Sequence, residues 1–485
     1  MISWKAAATD AALLLADPAL TTRTGADPGL PVFRNRDFPL SPLPLLIDAE
    51  QVTPVVRRLE EYVELLEKVV RLHRAEPRVR DYYGLRGDAA ILADADSGGS
   101  RAVRVCRLDG YLEQGSEKLR ILENNADAPA GTLFTPRLNR AVDGIADSLA
   151  LGYRAQLTEP AFASGQEFPD LLLGYLPRPT GPGPVRVCVL QIEGRANRES
   201  EELVAQLRTR GVDAWLADPR ALRFRDGAVE VGRGVPDLCW NKINNAAWQD
   251  LLDADPELAP RWAAAVGRCG LLHVNPFSAR YVAENKLTMA LPQEPALADL
   301  FTPAERELSR ELAPWSRRLS PTALAERPGG EGGGEREGGE VTLREELLAR
   351  QNSYVLKEQY DIRGDGVTIG HAVDRRTWEE AVERGCAEHH LVQRYVRPTS
   401  YPVLREDGTG LVPMPVSLDT FVFDGRVVGF GSKASLNAKV NVFAGGQKLA
   451  VRVLGGARPT PAGPTPSAPA PSGRTPSGPT SGEQA

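Results

Sequence analysis

Apolar residues recur at helical spacing twice in the first third of the chain. Val56, Leu59, Val63, Leu66 and Val70 follow Thr53-Pro54, and Leu138, Val142 and Ile145 follow Thr135-Pro136. A threonine cap with proline in the first turn predicts that each helix starts at its Thr-Pro pair. Between them the period shortens to two, and residues 103–108 and 118–122 read as strands joined by a polar turn. From residue 183 the pattern becomes strand, helix, strand. "PVRVCVLQI" is a buried-strand run, residues 200–210 form an amphipathic helix closed by Gly211, and "VDAWLAD" and "PDLCWNKI" are further strands. Short connections in that order predict a parallel α/β unit. A helix is expected from Ser278 through "ARYVAENKLTMAL".

The later pattern is hairpins around one more helix. "YVLKEQYDIRGDGVTIG", 354–370, is an apolar run ending on Lys357, a loop holding Gly364 and Gly366, and a second β-branched run. Thr377 with Glu380 reads as a capping box that starts a helix ended by Gly385. "HHLVQRYV" then reads as a strand, and "TFVFDGRVVGF" as a hairpin turning at Asp424-Gly425. Two stretches break the pattern. "RPGGEGGGEREGGE" at 327–340 reads as a flexible acidic loop, and the Pro/Ser/Thr/Gly-rich tail at 456–485 as disordered.

Composition narrows the class. A chain of 485 residues exceeds one hydrophobic core, and 42% hydrophobic with 25% charged residues is ordinary for a soluble globular protein. The formal charge of −6 gives no overall field for nucleic acid or anionic lipid. Five scattered cysteines without a CxxC pair, and five histidines without HExxH, suggest neither a disulfide framework nor a histidine-built metal centre. "AALLLA" is too short for a signal or a span, so a cytoplasmic location is expected.

Three segments carry candidate chemistry. The 354–370 hairpin is neither a P-loop nor a dinucleotide fingerprint, because a strand follows its glycines where those motifs need a helix. It is either a phosphate-covering flap, with Lys357 as a point charge, or a plain surface hairpin. In "LVQRYV", the backbone from Gln393 to Val396 either pairs with an adenine edge, with Gln393 and Tyr395 sharing a face, or belongs to an ordinary core strand. Arg107 and Asp109 share one strand face, and Glu123 and Asn125 share the next. Pairing the strands gathers an arginine, two carboxylates and an amide oxygen, a set suited to Mg²⁺ held with nucleotide phosphates, or else a surface ion pair beside a polar turn. Lys242 in "WNKINNAAW" follows a strand of the α/β unit and either lines a carboxylate site or sits in an ordinary strand-to-helix loop.

Taken in order, these segments resemble the circularly permuted ATP-grasp family, which includes glutathionylspermidine synthases and related carboxylate–amine ligases. The resemblance rests on Arg107-Leu108-Asp109, Glu123 through Gly131 and Glu284-Asn285-Lys286. It continues with Lys357, Gly364 and Gly366, then Gln393, Asp424-Gly425 and "VNVFAGG" at 440–446. It implies an α/β fold (α+β lobes), a circularly permuted ATP-grasp with a Rossmann-like pre-ATP-grasp region. The implied division is an N-terminal lobe at 1–180, the Rossmann-like region at 181–275, and a nucleotide-binding region at 276–455. The implied reaction is ATP-dependent amide formation through an acyl phosphate, with small carboxylate and amine substrates and no nucleic acid or membrane partner. By the resemblance, Lys286 and Lys357 hold ATP phosphates under the Gly364/Gly366 flap, and Gln393, Tyr395 and Val396 meet the adenine. Asp109, Glu123 and Asn125 coordinate Mg²⁺, and Arg107 acts at the acyl phosphate with Lys433. Two positions depart from the family pattern. Glu358 stands where proline is usual, and Lys433 where arginine is common, which keeps the charge and loses the fork. These departures keep two other functions in view, a non-catalytic nucleotide-binding protein and a phosphotransferase.

Overall fold

Alternation along each strand decides which side chains meet a helix and which meet the space between the sheets. The structure, a computed structural model, describes residues 1–16, 32–33, 36–37, 40–95, 101–157, 162–176, 183–327, 341–361, 364–405, 410–442 and 446–455. The expected acidic loop, from 328 onward, and the tail from 456 lie outside the described residues. The architecture is mixed α/β, with one six-stranded and two four-stranded sheets and three two-stranded ribbons.

The six-stranded sheet runs Leu119–Asn125, Val105–Leu112, Ser417–Phe423, Arg426–Ala434, Gln447–Leu454, Leu40–Asp48. Its neighbours are antiparallel except the last pair, which is parallel. Leu108, Ile121, Leu418 and Val422 join one core with Leu59, Val63, Leu66 and Val70 of the long helix Ala49–Ala75. Arg107, Asp109 and Asp419 alternate with those residues and take the other face, and Glu123 joins them because the ladder skips Leu122. Helix Phe134–Ser148 covers part of that face, with Leu138 and Val142 against Leu40 and Ala450.

The second sheet is wholly parallel, in the order Leu272–Val274, Leu238–Asn241, Arg186–Leu190, Asp213–Ala217. Both faces are covered, which is why the four residues after Arg186, "VCVL", are all apolar and buried. Val187 and Val189 pack with Leu203 and Leu207 of helix Arg198–Thr209. Cys188 and Leu190 pack with Trp248, Leu252 and Trp262 on the opposite side. The Val187/Val189 cluster also takes in Phe421, Phe423 and Val105, so one apolar layer ties this sheet to the six-stranded one. Each fully buried side chain there contributes on the order of 1.5–3 kcal/mol.

The third sheet runs Ser316–Arg318, Leu391–Arg394, Tyr354–Lys357, Val367–Ile369, all antiparallel. Tyr354, Leu356 and Val392 face helices Leu343–Ala349 and Arg375–Glu388 through Leu347, Trp378 and Val382. The alternate residues Val355, Lys357 and Gln393 therefore look toward the other two sheets.

Several boundaries differ from the sequence expectation. The long helix begins at Ala49, so Pro54 lies inside it, because buried Val52 extends the apolar stripe one turn earlier. The paired strands reach further than expected, to Leu112 and Asn125, which places Asp109, Glu123 and Asn125 within the ladder. The expected helix from Ser278 is two pieces, a π-helical turn Ala279–Ala283 and a 3₁₀ turn Lys286–Met289. Asn285 breaks it: its backbone is extended, and its side chain accepts from the Leu287 N–H at 2.9 Å. Asp374, not Thr377, caps the last helix, accepting from the Thr377 N–H at 2.8 Å. That helix runs through Gly385 to Glu388, where left-handed His389 ends it. The Asp424-Gly425 hairpin turn is present, with positive φ at both residues.

Candidate active site

The three sheets enclose a cavity of ≈ 1200 Å³. Its floor is the polar face of the six-stranded sheet. Register places Arg107 opposite Asn125 and Asp109 opposite both Glu123 and Asp419. Arg107 donates to Asp109 through Nε at 2.6 Å and Nη2 at 3.1 Å, and to the Asn125 Oδ1 at 3.3 Å. Lys433 reaches Asp109 at 2.8 Å and Asp419 at 3.1 Å. Burial alone would raise the Asp109 carboxyl, but Arg107 and Lys433 outweigh it and hold it well below the carboxylate range. Burial likewise opposes the charge on Lys433, and Asp109 with Asp419 more than restores it.

The roof comes from the third sheet and the broken helix. Lys286, 2% exposed, pairs with Glu123 at 2.9 Å and with Asp361. Burial opposes its charge, yet these two carboxylates hold its pKa above the ordinary lysine value. Among the described residues Lys357 has no carboxylate partner. It donates to the Leu122 carbonyl at 2.7 Å and to Gln393 Oε1 at 2.7 Å. Burial, with Lys286 adding repulsion and Glu123 opposing it, brings the Lys357 pKa down to about 8. The Leu122 carbonyl is available because the ladder skips that residue: Asp109 pairs with Glu123, and Gly110 with Ile121.

The flap loop closes beside these lysines. Gly364 has φ +77°, where a Cβ would be strained. At Gly366 a Cβ would lie 2.8 Å from Glu358 Cδ and 2.9 Å from Asp361 Cβ. The bare glycine lets its N–H donate to Asp361 at 3.1 Å, which steadies the carboxylate that meets Lys286. Lys439, from the loop after the Arg426–Ala434 strand, donates to the Gly364 carbonyl.

At the far end, Glu199 accepts from the N–H groups of Gly131 at 3.0 Å and Leu133 at 2.9 Å, and pairs with Lys242 at 2.8 Å. It thereby serves the start of helix Phe134–Ser148, whose own preceding residue, Leu133, has no capping side chain. Lys242 also donates to the Pro129 carbonyl at 2.6 Å. Lys448 completes this end, its ammonium 5.2 Å above the Phe134 ring.

All the site residues proposed from sequence except Lys286 and Gly366 are cavity-lining, and those two support it from behind. One expectation is corrected. The backbone at Gln393 and Arg394 is not free for a base, because their strand lies between two others and the Arg394 N–H already donates to Trp315 O at 2.8 Å. The chain leaves the sheet only at Tyr395 and Val396, and the Gln393 amide is spent on Lys357 and on Ser316 Oγ at 3.0 Å. Sequence reading missed Asp361, Asp419, Glu199 and Lys448. Asp419 and Lys448 show only as polar residues in apolar or glycine-bearing runs, and Glu199 and Asp361, set among other polar residues, carry no local signal. Among the described residues no group of three His, Cys, Asp or Glu side chains could hold a metal ion. No described helix is long and apolar enough to cross a membrane.

No protein-family profile and no curated protein matches the sequence. Among solved structures, the chain is similar to a glutathione synthetase-like effector from Globodera pallida in its apo form. The TM-score is 0.54 at 11% identity, over 90% of this chain and 95% of that one. A gamma-glutamylcysteine synthetase-like protein from Methylobacillus flagellatus gives TM-score 0.37 at 12% identity, over 80% of this chain and 87% of that one. A RimK domain ATP-grasp protein from Sphaerobacter thermophilus gives 0.27 at 17% identity, over 52% and 91%. The last two scores carry no argument. The first shows the fold, and the fold alone.

Proposed function

We propose that the protein is an ATP-dependent ligase, a circularly permuted ATP-grasp enzyme that joins a carboxylate to an amine and releases ADP and phosphate. One observation carries the reading. Lys357, which has no carboxylate partner among the described residues, faces an Arg–Asp–Glu–Asn–Lys cluster across a single cavity, with Lys286 behind that cluster and a glycine flap above. The proposed domains (1–180, 181–275 and 276–455) would then all contribute to the cavity, the first and last sharing its floor.

On this reading Lys357 and Lys286 hold the nucleotide phosphates, and Tyr395 and Val396, with Val355 and Ile369, bed the base. Asp109, Glu123 and the Asn125 amide oxygen would hold Mg²⁺, which neutralises phosphate charge. An all-oxygen set of two carboxylates and an amide suits that ion, which takes its remaining ligands from phosphates and water. The buried Asp419 Oδ1, without a hydrogen-bond partner, adds a further oxygen beside them. A substrate carboxylate oxygen attacks the γ-phosphorus, and the bond to the β–γ bridging oxygen breaks, leaving ADP. The amine nitrogen then attacks the acyl carbon, phosphate leaves with the bonding pair, and the nitrogen releases a proton. Arg107 and Lys433 neutralise the negative charge that develops in both steps.

The test is to incubate the protein with Mg·ATP and a pool of amino acids, polyamines and small peptides, with Lys357→Ala as control. ADP and phosphate release that needs both the pool and Lys357, with a fall of about 10²-fold or more in the variant, is expected. Release of AMP and pyrophosphate would sink the acyl-phosphate route. A stable phosphorylated product in place of an amide would make the protein a phosphotransferase, and nucleotide binding without turnover would make it a binder.

A further inference from the structure

The polar face of the six-stranded sheet carries a row of charges that ends in a conflict. Asp109, Asp419 and Lys433 lie on successive strands and neutralise one another. The next strand places Lys448 directly opposite Lys433. Like charges facing each other across a ladder are destabilising. Lys433 is compensated by two carboxylates, whereas among the described residues Lys448 has no ion-pair partner and meets only the Phe134 ring. A sequence that tolerates such a conflict beside a cavity marks the place as a functional candidate.

The other lysines of the cavity sharpen the point. Lys242 and Lys433 are paired with carboxylates, and Lys439 is bonded to a carbonyl. Lys357 bonds a carbonyl and an amide oxygen, so among the described lysines of the cavity only the Lys448 ammonium has no polar partner. If Lys357 awaits the anionic phosphates of the nucleotide, Lys448 is placed for a second anion. Ala450 is the residue level with Asp109, so three strand spacings of about 4.8 Å and a two-residue offset put the Lys448 backbone about 16 Å from that of Asp109. The Lys448 side chain reaches into that span, so one small molecule could touch the reaction centre and Lys448 together.

We infer that Lys448 is a specificity-determining residue that holds a non-reacting carboxylate of the ligation substrate. The substrate class is therefore dicarboxylic acids, amino acids or short peptides, and not a simple polyamine. A single ammonium beside an aromatic wall is one point charge, which matches the single charge of a carboxylate. The electrostatics agree. Burial, then repulsion from Lys433 and Arg107, against attraction from Asp419 and Asp109, brings the Lys448 pKa down to about 7. An incoming carboxylate would restore its charge.

The inference rests on the ligase reading, and the test keeps the two apart. Amine labelling of the full-length protein with trinitrobenzenesulfonate near neutral pH, mapped by peptide mass spectrometry, reports Lys357 and Lys448 separately. Mg·ATP should protect Lys357, and failure there sinks the ligase reading. With the reagent in excess over the added amines and exposed lysines as internal reference, succinate, L-glutamate or glycylglycine should slow labelling of Lys448, while putrescine should not. For a carboxylate that protects and supports ADP release, Lys448→Gln should raise its KM about 10- to 100-fold with a smaller change in kcat, and Lys448→Arg should recover much of the loss. No protection by any of the carboxylates, protection by putrescine, or an unchanged KM in Lys448→Gln overturns the inference.

Discussion

Lys357 shows how one residue's environment sets its chemistry. Among the described residues its ammonium has two neutral acceptors and no carboxylate partner, and it is 7% exposed. Burial lowers its pKa from 10.5 to about 8. Between these values the folded state binds fewer protons than the unfolded state, so stability rises with pH across that window. The cost of the buried charge is complete below pH 8 and gone above 10.5. Nucleotide phosphates would favour the charged form, so ATP affinity should fall as pH rises past about 8, by up to about tenfold per unit. Lys286 is held charged by Glu123 and Asp361 and adds nothing to that slope. Isothermal titration between pH 7 and 10 checks this; a Lys357→Met variant should lose the slope as well as affinity. A wild-type affinity that stays flat across that range would deny Lys357 its place at the phosphates.

At the scale of elements, strand periodicity was the most legible feature of the sequence. Arg107 and Asp109, then Glu123 and Asn125, are spaced by two, and the ladder puts them together as that spacing implies. Helix ends were less legible, because several caps competed for each start. "DRRTWEE" offers Asp374 and Thr377, and the structure uses the aspartate. Asp374→Ala should therefore lower the melting temperature by about 2 °C, and Thr377→Ala or Glu380→Ala by less. Equal losses for all three would deny Asp374 its capping role. The break at Asn285 was hidden for another reason. Apolar residues at helical spacing suggest one helix, and the asparagine's bond to the Leu287 N–H favours two turns over one. Beyond that break Lys286 meets Glu123.

For the whole molecule, closure of the cavity depends on strands far apart in sequence. Gln447–Leu454 lies between Arg426–Ala434 and Leu40–Asp48, so the last described strand joins the first long one. A chain stopped at residue 440 would remove that strand, expose both of its neighbours and lose Lys448. It should fail to give the cooperative thermal transition of the full chain. A chain stopped at 455 keeps every described strand and should melt as the full chain does. Circular dichroism of the two truncations decides this, and a cooperative melt of the shorter one would show that the sheet does not need its fifth strand.

The sequence alone determined what depends on neighbours along the chain. Alternation, Gly-bearing turns and apolar runs were enough to predict the parallel unit, the flap hairpin, the Asp424-Gly425 turn and the shared faces of the charged pairs. Tertiary structure decided what depends on register and on partners from other elements. The skipped residue at Leu122 offers its carbonyl to Lys357, and Asp361 folds back onto Lys286. Glu199 serves a helix that is not its own, and Lys448 stands across from Lys433 without a counter-charge. A charge's partner is set by distance in space, which local patterning does not encode. The sequence could therefore supply the charged groups, while only the fold settled which of them are neutralised and which are left to meet a ligand.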